Sequence, residues 1–137
     1  MLEHDLRILL VEDHPFQLIA TQYLLESFGF GQLTTTNNAE NALQLMIQAR
    51  RPFDILLCDQ CLPDLRGLEL IGLAAQRGLI KQAIILSSLT TVELDTLKVA
   101  ASKLRLPLLG YLAKPLKQPE LKNLLTTYQK ATLQTDQ

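Results

Sequence analysis

Five short apolar runs, each followed by a segment of helical periodicity, set the limits on what this 137-residue chain can fold into. The runs are Leu6–Val11, Gln32–Thr36, Phe53–Asp59, Lys81–Leu86 and Leu108–Ala113. Most are nearly continuous in apolar residues, the pattern of strands covered on both faces; Gln32–Thr36 is short and β-branched. Between them, Phe16, Ile19, Ala20, Tyr23 and Leu24 fall at i, i+3, i+4, i+7 and i+8, which predicts a helix that Gly29 stops. Asn37 or Asn38 caps a second helix with Ala39, Ala42, Leu43, Met46 and Ile47 as its stripe, ended by Arg51-Pro52. A third starts at about Leu65 or Arg66, presents Leu68, Ile71, Gly72 and Ala75, and stops at Gly78. Thr90-Thr91-Val92-Glu93 reads as a capping box for a fourth, whose buried face is Leu97, Ala100, Ala101 and Leu104. The last helix carries Leu121, Leu124, Leu125 and Tyr128, with Pro119 in its first turn. Strands that alternate with helices pair in parallel, because each connection is a long right-handed crossover. The expected architecture is an α/β fold with helices on both faces of one sheet.

A chain of this length fits one domain and buries enough core to fold without disulfide or metal staples. Apolar residues make up 47%, charged residues 20%, and the net charge is −1. Neither disorder nor a basic footprint for direct nucleic-acid binding is indicated. No apolar run approaches the roughly 20 residues of a membrane span, and Met1-Leu2-Glu3-His4-Asp5 lacks the features of a signal peptide, so a cytoplasmic location is expected. Residues 1–130 read as the domain, and 131–137 as a polar tail or the start of a linker.

Function is sought at the carboxyl ends of the strands, where open α/β sheets bind their ligands. The first run ends in Glu12 and Asp13, the third in Asp59, the fourth in Ser87 and Ser88, and the fifth just before Lys114. Carboxylates gathered together repel one another unless a cation joins them, and hard oxygen ligands suit Mg2+. A metal, an ammonium, a hydroxyl and a nucleophilic carboxylate are the equipment of phosphoryl transfer through an aspartyl-phosphate.

The segments Leu9-Leu10-Val11-Glu12-Asp13-His14, Leu57-Cys58-Asp59-Gln60-Cys61-Leu62-Pro63-Asp64-Leu65-Arg66-Gly67, Ile84-Ile85-Leu86-Ser87-Ser88 and Gly110-Tyr111-Leu112-Ala113-Lys114-Pro115 resemble the motifs of the receiver domain of bacterial response regulators, in order and over about Leu6 to Tyr128. The resemblance implies a flavodoxin-like (βα)5 three-layer sandwich with a five-stranded parallel sheet of order 2-1-3-4-5. It implies Asp59 as phosphoacceptor, with a histidine kinase, a phosphotransfer protein or a small molecule as donor. Mg2+ would be held by Asp13 and Asp59, by Glu12 largely through water, and by the backbone carbonyl of Cys61. Lys114 would pair with the phosphoryl group next to a cis Lys114-Pro115 bond, and Ser87 and Tyr111 would be the switch pair. Output would pass to a linked domain, a target protein or a second copy through the face formed by helix 4, strand 5 and helix 5. Ser87 stands where Thr is commoner, and the Ser87–Tyr111 segment is several residues longer than usual, which puts the conformation of helix 4 in question. The opening and this longer segment are similar to receivers that precede cyclic-di-GMP phosphodiesterase (EAL) domains.

Two rival functions start from the same residues. A receiver-like module without phosphorylation would be a protein-interaction domain, ranked lower because Glu12, Asp13, Asp59, Ser87 and Lys114 are all present. The Cys58-Asp59-Gln60-Cys61 pair could be a thiol-disulfide oxidoreductase motif, but a strand thiol beside a carboxylate is poorly placed to be a thiolate. Taken singly, Asp13 could merely cap a helix and Tyr111 merely pack. His4 and His14 are expected to be exposed, and Asp64 and Glu69 to be solvated charges.

Overall fold

A computed structural model describes residues 5–135 of the chain. The elements are β1 (Arg7–Val11), α1 (Pro15–Ser27), β2 (Gln32–Thr36), α2 (Ala39–Gln48), β3 (Phe53–Asp59), α3 (Gly67–Gln76), β4 (Ile80–Ser87), α4 (Thr91–Lys103), β5 (Leu108–Ala113) and α5 (Gln118–Thr135). All strand pairs are parallel, in the order β2-β1-β3-β4-β5, as the family resemblance implied. Helix α5 takes in residues 131–135 of the segment expected to be a tail, and His4 lies outside the described residues.

The period-2 alternation of the strands explains why their sequences look uniformly apolar. Ile8, Leu10, Ile55, Leu57, Ile84, Leu86 and Leu112 face the layer of α1 and α5, where Leu25, Leu121, Leu125 and Tyr128 meet them. Leu9, Val11, Leu56, Cys58, Ala83 and Ile85 face the other layer, against Ala42, Met46, Leu68, Ile71 and Ala101 of α2, α3 and α4. Each of these large side chains contributes about 1.5–3 kcal/mol by leaving water. The register then levels the strand ends, since Val11 lies opposite Cys58, Asp59 opposite Leu86, and Ser87 opposite Ala113.

Helix faces depart most from expectation. On α1, Phe16, Ile19 and Tyr23 are 80%, 65% and 71% exposed, and Ala20 is exposed too. Of the expected stripe Leu24 packs against the core; the helix otherwise turns Leu18, Thr21, Leu25 and Phe28 inward, of which only Thr21 is not apolar. With apolar residues on both sides, α1 offered two stripes of equal spacing, and the shape of the neighbouring layer selected between them. On α3, Leu70 and Ala74 join Leu68 and Ile71 in the core while Gly72 and Ala75 are half-buried; on α2, Ile47 is exposed.

The long Ser87–Tyr111 segment resolves into a well-capped α4 and a tight return. The Thr90 hydroxyl accepts from the Glu93 amide at 3.3 Å and donates to the Glu93 carboxylate at 3.0 Å, so the capping signal holds. Only Ala101 of α4 is buried, and Leu104, expected inside, is 66% exposed because the helix ends there and Arg105 reverses the chain at φ 53°. An open groove of about 600 Å³ lies between α4 and β5, lined by Leu94, Lys98, Ala101, Leu106 and Tyr111 among others.

Candidate functional site

Three strand ends bring Glu12, Asp59 and Lys114 to one point, because all three continue the alternation that faces the α1 and α5 layer. Lys114 Nζ lies 2.7 Å from Glu12 Oε2 and donates to Asp59 Oδ2 at 2.8 Å. Asp13 joins them: carboxylate oxygens of Glu12, Asp13 and Asp59 lie within 4.8 Å of one another. Glu12 is fully buried, Asp59 buried and Asp13 exposed. The position before α1 that Asp13 might have capped is held by His14, whose side chain makes no cap hydrogen bond, and His14 is exposed as expected.

The electrostatics follow from three carboxylates around one ammonium. Burial pushes the Glu12 carboxyl above its usual range; Lys114 offsets only part of this, and the charge of Asp59 pushes the same way as burial. Burial alone would lower the Lys114 ammonium, but its hydrogen bonds and charge contacts with Asp59 and Glu12 outweigh that and hold it above its usual value. The excess negative charge is what a hard cation would neutralise, and all three donors are oxygens suited to Mg2+. Protons would compete with a cation for Glu12, and its raised carboxyl would make that competition begin at a higher pH than for an ordinary carboxylate. Titration calorimetry is expected to show Mg2+ affinity falling as the pH is lowered toward the carboxylate range, with a shallower fall in Glu12→Gln.

The loop after β3 frames Asp59. The Cys61 amide donates to Asp59 Oδ1 at 3.1 Å, and Lys114-Pro115 is cis. Tyr111 packs on the α4 side of the sheet, and Ser87 ends β4 opposite Ala113 of β5. The Ser87 hydroxyl is buried and accepts from the Leu89 amide at 2.9 Å. Tyr111 packs its ring on the α4-side core, and its hydroxyl is buried with no hydrogen-bond partner among the described residues. Cys61 is exposed, whereas Cys58 is fully buried and its thiol is pushed up to about 12, first by burial and then by the Asp59 charge. Cys58 therefore stays a protonated core residue at neutral pH, which removes the thiolate that a redox motif needs.

Three polar side chains with placed roles were not picked out from sequence. Gln17 of α1 accepts from Lys114 Nζ at 2.8 Å. Gln60 is buried, and its Oε1 accepts from the Leu68 amide at 3.0 Å, tying the loop to the start of α3. Asp64, expected to be a solvated charge, accepts from the Ala39 and Glu40 amides at 3.0 and 2.9 Å and caps α2 from the β3–α3 loop, alongside the Asn38 cap. Burial pulls the Asp64 carboxyl up slightly, and the amides, those of Ala39 and Glu40 first, bring it below its ordinary range. The position of Gln60 directly after a strand-end carboxylate was the one available cue; nothing local marked Gln17 or Asp64.

A doubly wound α/β domain with a carboxylate and lysine pocket at the carboxyl edge of its sheet is the class that these observations define. Within that class the chain belongs to the response regulator receiver domain family, whose profile matches residues 8–126. It is 30% identical over 122 residues to the two-component response regulator ORR21 of Oryza sativa subsp. indica, a match covering 87% of this chain and 16% of that protein. A two-component response regulator of Arabidopsis thaliana is 31% identical over 122 residues, covering 87% of this chain and 20% of that protein. The chain thus spans no more than a fifth or so of the length of these curated relatives. Among solved structures, the signal receiver domain of a modulated diguanylate cyclase from Desulfovibrio desulfuricans G20 aligns with TM-score 0.75 at 29% identity, covering 95% of this chain and 99% of that one. A receiver domain protein from Clostridium thermocellum shares the fold with TM-score 0.76 at 21% identity, covering 93% of this chain and 98% of that one. Receiver domains are signalling modules of two-component systems that bind Mg2+ at an acidic pocket and work with a histidine kinase or phosphotransfer partner. Among the described residues, no helix is long and apolar enough to cross a membrane.

Proposed function

We propose that this chain is a phosphorylation-dependent switch that takes a phosphoryl group onto Asp59. The observation that carries the reading is the Lys114 ammonium bridging Asp59 Oδ2 and Glu12 Oε2 inside the acidic cluster. A carboxylate oxygen of Asp59 attacks the donor phosphorus, and the new O–P bond forms as the bond to the leaving group breaks. That leaving group is an imidazole nitrogen of a histidine kinase or phosphotransfer protein, or acetate from acetyl phosphate, and it departs with the electron pair. Lys114 neutralises charge on the phosphoryl oxygens, and the Ser87 hydroxyl donates to one of them once released from Leu89. Asp13, Asp59, Glu12 and the Cys61 carbonyl would hold Mg2+, which would supply further positive charge there. Recruitment of Ser87 would alter the packing around Tyr111, whose ring already lies on the α4-side core, and the change would pass to the face of α4, β5 and α5, where an output domain, a target protein or a second copy docks. The domain would act in the cytoplasm, where such donors are charged.

The test is intact-mass analysis after incubation with acetyl phosphate and Mg2+. One phosphoryl adduct is expected, prevented by chelating the metal and removed by hydroxylamine, which cleaves acyl phosphates. No adduct, or one that survives hydroxylamine, would overturn the assignment.

A further inference from the structure

We propose that Gln17 is a positioning residue that holds the Lys114 ammonium in place for phosphoryl transfer at Asp59, a role that rests on the proposed function. Lys114 has three N–H donors and three oxygen partners: it donates to Asp59 Oδ2 at 2.8 Å and to Gln17 Oε1 at 2.8 Å, and Glu12 Oε2 lies 2.7 Å away as an ion-pair partner. Two of these change during the reaction. Asp59 becomes an acyl phosphate, and Glu12 is a carboxylate that a bound cation would draw on. Gln17 alone among the three keeps its chemistry in every state, so its carbonyl is the fixed point for an ammonium on a flexible four-carbon stem.

The fold fixes the backbone that carries this amide. Gln17 is the third residue of α1, whose first turn closes with the Leu18 amide on the His14 carbonyl at 2.9 Å, and Leu18 packs against the core of that layer. Helix α1 lies on the side of the sheet toward which Glu12, Asp59 and Lys114 point, 97 residues away from Lys114 in sequence but beside it in space. The residue type matters too. An amide oxygen accepts the third N–H without adding a fourth negative charge to a pocket that must admit an anionic phosphoryl donor. Gln17 is exposed, so its bond adds little to stability; what it controls is where the ammonium sits.

The experiment compares the full chain with Gln17→Leu, which keeps the size and loses the acceptor, and with Gln17→Glu, which keeps an acceptor. Two quantities are read: the rate of adduct formation from acetyl phosphate at saturating Mg2+, and the Lys114 ammonium resonance in a proton–nitrogen correlation spectrum, identified by its loss in Lys114→Met. Gln17→Leu is expected to melt at the wild-type temperature, to lose or broaden the ammonium resonance, and to slow phosphorylation about three- to tenfold through lost positioning. Gln17→Glu is expected to retain the resonance. A Gln17→Leu protein that is phosphorylated at the wild-type rate overturns the role of Gln17, whatever its spectrum, while leaving Asp59 as phosphoacceptor. A wild-type chain that takes no phosphoryl group overturns the proposed function, and the role of Gln17 falls with it.

Discussion

Asp59→Asn is expected to abolish the phosphoryl adduct while leaving the domain folded, with labelling down at least about a thousandfold. Asn matches Asp in shape, and its Oδ1 still accepts from the Cys61 amide, so the loop after β3 keeps its anchor. What disappears is the nucleophile, because an amide oxygen lacks the charge that drives attack on phosphorus. The lysine is not orphaned: Glu12 Oε2 and Gln17 Oε1 remain at 2.7 and 2.8 Å. Replacing Asp59 also removes one of three clustered carboxylates, which relieves the repulsion that helps to raise Glu12. The melting temperature without metal should therefore not fall, and the stabilisation that Mg2+ adds should shrink with the loss of a ligand. Intact-mass labelling and thermal melts with and without Mg2+ measure both effects. Labelling of the variant at more than a tenth of the wild-type level would move the phosphoacceptor to another carboxylate and remove Asp59 from its role.

That prediction rests on residues that were legible before any coordinates, and there is a physical reason for it. Strands covered on both faces announce themselves as apolar runs, so their ends are easy to place, and the polar residues just beyond those ends must gather at one edge of a parallel sheet. Glu12, Asp13, Asp59, Ser87 and Lys114 were found in this way. What the apolar runs alone do not reveal is that Glu12, Asp59 and Lys114 continue the alternation toward the α1 and α5 layer and so meet. Helix faces were harder, as α1 shows: Phe16, Ile19 and Tyr23 satisfy the same spacing as Leu18, Thr21 and Leu25, and only the layer beneath decides between them. Hardest were polar side chains whose partners are distant in sequence. Asp64 bonds amides 24 and 25 residues away and Gln17 bonds a lysine 97 residues away, and neither carries a local pattern.

Gly67→Ala is expected to destabilise the domain by about 2–3 kcal/mol, the cost of forcing an atom into a filled space. A Cβ at Gly67 would lie 2.6 Å from the Asp59 carbonyl oxygen, 3.0 Å from Gln60 Cα and 3.1 Å from Gln60 Oε1. Two of these three are main-chain atoms of the strand end, which have little freedom to move aside. The contact is close because the Gly67 amide donates to the Gln60 carbonyl at 3.0 Å while Gln60 Oε1 accepts from Leu68, folding the loop back on β3. Relief must come from opening this loop, and the first group displaced is Asp59 itself, so phosphorylation should slow together with the loss of stability. Gly72 is the control within the same helix. There a Cβ would meet only Leu106 Cδ2 at 3.8 Å, an ordinary contact, and Ala replaces a flexible residue inside α3. Gly72→Ala should stabilise by about 0.5–1 kcal/mol. Urea unfolding of the two variants decides the matter by sign: a midpoint lowered for Gly67→Ala and raised for Gly72→Ala. Equal midpoints would mean that the close approach of Gly67 to the Asp59 backbone does not constrain the site.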